Sequence, residues 1–129
     1  MKIVSTLRSL ESFLCLSAAA GVIFLGSAGQ ALAHAHPVHE SPAPNAIVTA
    51  PSEVRISYDD PIEPALSHLT VQNAQGKQVN QAKSSVEGKA HKTMRVALPA
   101  LAAGQYQVQW VAVADDGHRT HGSYKFTVK

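Results

Sequence analysis

The chain has 129 residues, a formal charge of +2, 16% charged residues and seven histidines. That length suits one small domain rather than two. A charge so close to balance excludes the basic excess of a nucleic-acid or other polyanion binder.

The first segment reads as a secretory signal. Lys2 and Arg8 precede an apolar stretch over residues 13–26, and small residues then lead to Ala31-Leu32-Ala33. The apolar stretch is shorter than the roughly 20 residues a membrane span needs. Cleavage after Ala33 is therefore expected, with residues 1–33 as the signal and 34–129 as the exported domain, a periplasmic protein no longer embedded in a membrane. A cut after Ala35 is the poorer alternative, since it places His34 inside the cleavage triplet. Cys15 leaves with the signal, so the domain must rely on its core in an oxidising compartment. Lys2, Arg8 and Glu11 leave too, and the formal charge falls from +2 to +1.

Cleavage makes His34 the first residue, so an imidazole and a free α-amine share one residue. That pair is a chelate suited to Cu(II), Ni(II) or Zn(II) rather than to a hard cation. The following stretch, residues 34–51, holds Pro37, Pro42, Pro44 and Pro51, and proline confines it to an irregular or edge strand. From Ser52 onward the chain alternates with period two, the pattern of strands with one buried face. Val54, Ile56 and Tyr58 face one way, as do Leu69 and Val71, Met94, Val96 and Leu98, then Tyr106, Val108 and Trp110, then Tyr124, Phe126 and Val128. The Trp110 run becomes apolar on both faces through Val111 and Val113, as in a central strand. Gln75-Gly76, Glu87-Gly88, Pro99 to Gly104 and Asp116-Gly117 supply turns. Many short strands joined by turns predict an all-β sandwich or small barrel.

Between the last two strands lies Asp115-Asp116-Gly117-His118-Arg119-Thr120-His121-Gly122. On its own Asp116-Gly117 is a hairpin-turn signal with no chemistry attached. The i, i+2 spacing of Asp116 and His118 nonetheless aims both side chains to one side of an extended segment. If folding brings His34 beside this loop, the donors become an α-amine, two imidazoles and a carboxylate, a set of three nitrogens and one oxygen that suits tetragonal Cu(II).

These residues carry a resemblance. The string G-x-Y-x-V-x-W from Gly104 to Trp110, the D-G-H-x-x-x-G from Asp116 to Gly122 and the F-x-V from Phe126 to Val128 resemble the CopC family of periplasmic copper-binding proteins. The start HAHPVHESPAPNAIVTAP from His34 to Pro51 is most similar to the family's YobA-like branch. The resemblance implies about seven strands in a Greek-key sandwich or barrel, immunoglobulin-like or cupredoxin-like. It implies a non-catalytic Cu(II) site in which His34 binds through amine and imidazole and Asp116 and His118 complete the plane. It also implies a role in copper sequestration or delivery, in homeostasis or resistance, with a CopD-like inner-membrane copper transport protein as partner. The domain is expected to be monomeric.

Other readings stay open at this point. His34-Ala35-His36 could chelate Cu(II) or Ni(II) through amine, backbone amides and the His36 imidazole, competing for the same amine. His121 and His39 could stand behind the ligands or be exposed, while His68 and His91 fall on or beside wet strand faces. A histidine-brace copper oxidoreductase and a metal-free β-sandwich interaction module are the alternative functions. Some family members carry a methionine-rich loop for Cu(I), whereas the expected domain has only Met94, on the apolar face of a strand. The reading is therefore of a Cu(II)-selective protein.

Overall fold

A computed structural model describes residues 34–129; the expected signal and its cleavage triplet lie outside the described residues. The strands in chain order are β1 (Pro37–Ser41), β2 (Ile47–Val48), β3 (Glu53–Tyr58), β4 (His68–Asn73), β5 (Ser85–Glu87), β6 (Thr93–Ala97), β7 (Gly104–Val113) and β8 (Arg119–Val128). They form two four-stranded sheets in the orders β1-β3-β6-β5 and β2-β8-β7-β4. The all-β sandwich predicted by alternation is thus present, and it has eight strands where the family resemblance implied about seven. The strands that alternation does not mark are β2 and β5, two and three residues long, too short for a period of two to register. Among the described residues no helix is long and apolar enough to cross a membrane.

The alternating residues meet between the sheets. Val54, Ile56, Val71, Met94 and Val108 are fully buried, and Phe126 is nearly so. Burial of each such side chain contributes about 1.5–3 kcal/mol relative to exposure. Tyr106 stacks on Phe126 with ring centroids 5.7 Å apart, and its hydroxyl donates to the Ala102 carbonyl at 2.7 Å. Tyr58 meets Trp110 edge to face across the sandwich at 5.7 Å. On the wet face of the first sheet, Arg55 and Arg95 both reach Glu53 and Glu87 at 2.7–3.1 Å. The Arg95 guanidinium, with Arg55 beside it, holds the Glu87 carboxyl below its ordinary range.

Proline places β1 at a sheet edge, where a missing N–H breaks no central ladder. The chain then crosses to the second sheet as β2, parallel to β8. β7 and β8 pair along their whole length, from Gly104 opposite Val128 to Val113 opposite Arg119. After β3 the chain folds over the far end of this hairpin. Ile62 is fully buried and bridges Ala114, the Glu63 N–H donates to the Val113 carbonyl at 2.7 Å, and the buried Ser67 hydroxyl accepts from the Val113 N–H at 3.0 Å. This end of the sandwich, where β1 begins and β7 turns into β8, carries the polar cluster described next.

Candidate metal centre

The β7–β8 turn is built from the residues that the sequence marks as a turn. The Gly117 N–H donates to the Ala114 carbonyl at 2.8 Å and the Ala114 N–H to the His118 carbonyl at 2.9 Å. Gly117 has φ +85°, a left-handed conformation that glycine adopts without steric penalty. Asp116 Oδ1 accepts the His118 N–H at 3.0 Å, a local turn bond typical of aspartate. Asp116 Oδ2 lies 2.8 Å from His118 Nδ1. The contact is short, yet Nδ1 is buried and out of line for a hydrogen bond. Two donors each about 2.0 Å from an ion, at a right angle, are themselves about 2.8 Å apart.

His34 is delivered to this pair by the residue that follows it. Ala35 is fully buried, and its carbonyl accepts the Thr120 hydroxyl at 2.7 Å. The His36 N–H donates to Asp59 Oδ1 at 2.7 Å, and the Asp59 N–H returns a bond to the His36 carbonyl at 3.1 Å. So anchored, the His34 ring stands 5.1 Å from that of His118, centroid to centroid and edge to face. Two imidazoles sharing one ion at bonds of about 2.0–2.1 Å have centroids roughly 4.5 Å apart at a right angle and roughly 6.4 Å apart in line. The observed spacing falls between these limits. Among the described residues no three His, Asp or Glu side chains already enclose an ion position. The expected set counts the His34 α-amine as a donor in its own right, and that nitrogen is an amide until the chain is cut.

The remaining histidines are separated by strand geometry. His36 lies 6.0 Å from His34 between ring centroids, with its Nδ1 3.7 Å from Asp59 Oδ2. His121 pairs with Val111 on the outer face of the second sheet, opposite to its neighbour Thr120. It helps line a shallow groove there with Gln109, Val111, Arg119 and Ser123, away from His34. His39 pairs with Ser57 on an exposed edge, and His68 and His91 are exposed. Thr120 and Asp59 are the positioning groups that the sequence reading passed over. The period of two through His118, Thr120 and Gly122 marks Thr120 as inward-facing. No local signal links Asp59 to a residue 23 positions earlier.

Known proteins resemble this chain in sequence and in fold. A 33% identical relative over 120 residues, copper resistance protein C of Xanthomonas campestris pv. juglandis, is matched over 84% of this chain and 91% of its own. Protein YobA of Escherichia coli strain K12 is 33% identical over 75% of this chain and 80% of its own. The copper transport protein CutJ of Bacillus subtilis strain 168 is 33% identical over 74% of this chain, which spans only 18% of that longer relative. Among solved structures, CopC from Methylosinus trichosporium OB3b superposes with a TM-score of 0.69 at 30% identity, covering 74% of this chain and 94% of that one. The family profile described as the CopC domain matches residues 37–129, the whole sandwich from β1 onward, and the chain belongs to the CopC family.

Proposed function

We propose that the domain is a periplasmic Cu(II)-binding protein that sequesters or hands on copper without catalysing a reaction. In the form cleaved before His34, the ion would be held by the His34 amine and imidazole, the Asp116 carboxylate and the His118 imidazole. The observation that carries this reading is the convergence of His118 Nδ1 and Asp116 Oδ2, 2.8 Å apart, beside the His34 ring at 5.1 Å. Three nitrogens and one oxygen suit tetragonal Cu(II) over harder or softer ions. The carboxylate would take an equatorial place that oxygen-activating copper needs open, which favours carriage over oxidation. Several relatives are named for copper resistance or copper transport.

The test is spectroscopic. Protein recovered from the periplasm is expected to begin at His34 by mass spectrometry, to bind one Cu(II) and to give a nitrogen-rich tetragonal signal. Adding one residue before His34 moves the amine away and is expected to abolish that signal. Retention of the same spectrum by the extended chain would overturn the assignment.

A further inference from the structure

We infer that Asp59 is a positioning residue that decides which of two chelates the N-terminal histidine forms, an inference that rests on the copper reading above. The segment His34-Ala35-His36 contains a complete rival ligand set: the amine, the amide nitrogens of Ala35 and His36, and the His36 imidazole. Binding in that mode requires both amides to lose their protons and turn toward the ion. The second of them belongs to the Ala35–His36 peptide group, and the fold holds this group at both ends. Its carbonyl accepts the Thr120 hydroxyl at 2.7 Å, and its N–H donates to Asp59 Oδ1 at 2.7 Å.

Asp59 opposes the rival mode in two further ways. The side-chain oxygen of Asp59 fixes the direction of the His36 N–H, so the rival mode must break this bond before the nitrogen can turn toward an ion. Asp59 also clasps the next peptide, donating its own N–H to the His36 carbonyl at 3.1 Å, with Oδ2 3.7 Å from the His36 ring. The His36 backbone is thereby committed to the end of β3, while His34 is left facing His118. Thr120 grips the carbonyl end of the same peptide, while Asp59 engages the amide nitrogen that the rival mode needs and the His34–Asp116–His118 mode does not. A flexible N-terminus would favour the local, sequence-adjacent chelate; Asp59 removes that flexibility in advance.

The test uses the exported chain beginning at His34, loaded with one equivalent of Cu(II), and reads the visible and electron paramagnetic resonance spectra. Asp59→Ala is expected to convert at least half of the copper to a second species, with four nitrogen donors and a visible band at higher energy. Asp59→Asn keeps an oxygen acceptor for the His36 N–H and is expected to retain the wild-type spectrum. Adding His36→Ala to Asp59→Ala is expected to remove the second species. A wild-type spectrum in Asp59→Ala would overturn the inference, as would an Asp59→Asn variant that behaves like Asp59→Ala. If Asp59→Ala does not fold, hydrogen exchange of the metal-free wild-type protein decides: the His36 amide is expected to exchange at least about 100-fold more slowly than in an unstructured chain, and an unprotected amide overturns the inference. His118→Ala separates the two levels. An unchanged spectrum in that variant defeats the site reading itself, whereas a changed one beside an unaltered Asp59→Ala defeats only the role of Asp59.

Discussion

At the scale of single residues, the candidate centre depends on a few short contacts that converge from distant parts of the chain. His118 contributes the buried nitrogen facing Asp116. His118→Ala is expected to weaken Cu(II) binding by more than the roughly 10–100-fold that a supporting residue is worth, measured by competition with a chelator of known affinity. Thr120 touches no ion in this reading, yet it holds the carbonyl of the fully buried Ala35. Thr120→Val leaves that carbonyl short of its donor and is expected to cost about 1–3 kcal/mol in denaturant unfolding. Its loss of copper affinity is expected within roughly 10–100-fold, the range for groups that orient ligands. His34, Asp116 and His118 could be singled out from the cleavage pattern, the turn and the family motif. Their meeting was implied by the family resemblance and by no local pattern, because it depends on an edge strand that carries residue 34 to a turn more than 80 positions later.

At the scale of elements, β7 and β8 are the best specified part of the fold, and their fit is tight at one point. Gly122 faces Trp110 across the hairpin, and a Cβ there would lie 2.6 Å from the indole Cζ2. Gly122→Ala is expected to destabilise by about 1–3 kcal/mol through overpacking, checked by thermal unfolding with near-ultraviolet circular dichroism on Trp110. Tyr58 and Tyr124 sit where β3 and β8 face each other, and their buried hydroxyls have no hydrogen-bond partner among the described residues. Burial, with the Glu40 charge second, raises both phenols well above the ordinary tyrosine range. Above about pH 10 the unfolded chain then releases protons that the folded one keeps, so stability falls as pH rises further. Tyr124→Phe is expected to make that alkaline decline shallower, with little loss at neutral pH because the deleted hydroxyl leaves no broken bond behind. Period-two alternation located β3, β4, β6, β7 and β8 because each has one buried face. It was silent on β2 and β5, whose two and three residues are held by neighbouring strands rather than by their own pattern.

At the scale of the whole molecule, the proposed preference for Cu(II) rests on which side chains the fold exposes. The chain has two methionines and one cysteine, and Met94 is fully buried in the core, where its thioether packs rather than ligates. Anaerobic titration of the chain beginning at His34 with Cu(I) is expected to show far weaker retention than with Cu(II), since soft sulfur donors are what Cu(I) selects. Tight Cu(I) binding would contradict this reading. The amino-acid sequence by itself determined the strand-rich class, the inward-facing residues, the turn at Asp116-Gly117 and the family, because each is written in local periodicity, turn chemistry or contiguous motif. Only the tertiary structure decided that Asp59 and Thr120 grip one peptide group from opposite ends and leave His34 beside His118. Those contacts form between strands remote in sequence, and their geometry is set by sheet pairing and burial, which no local pattern encodes.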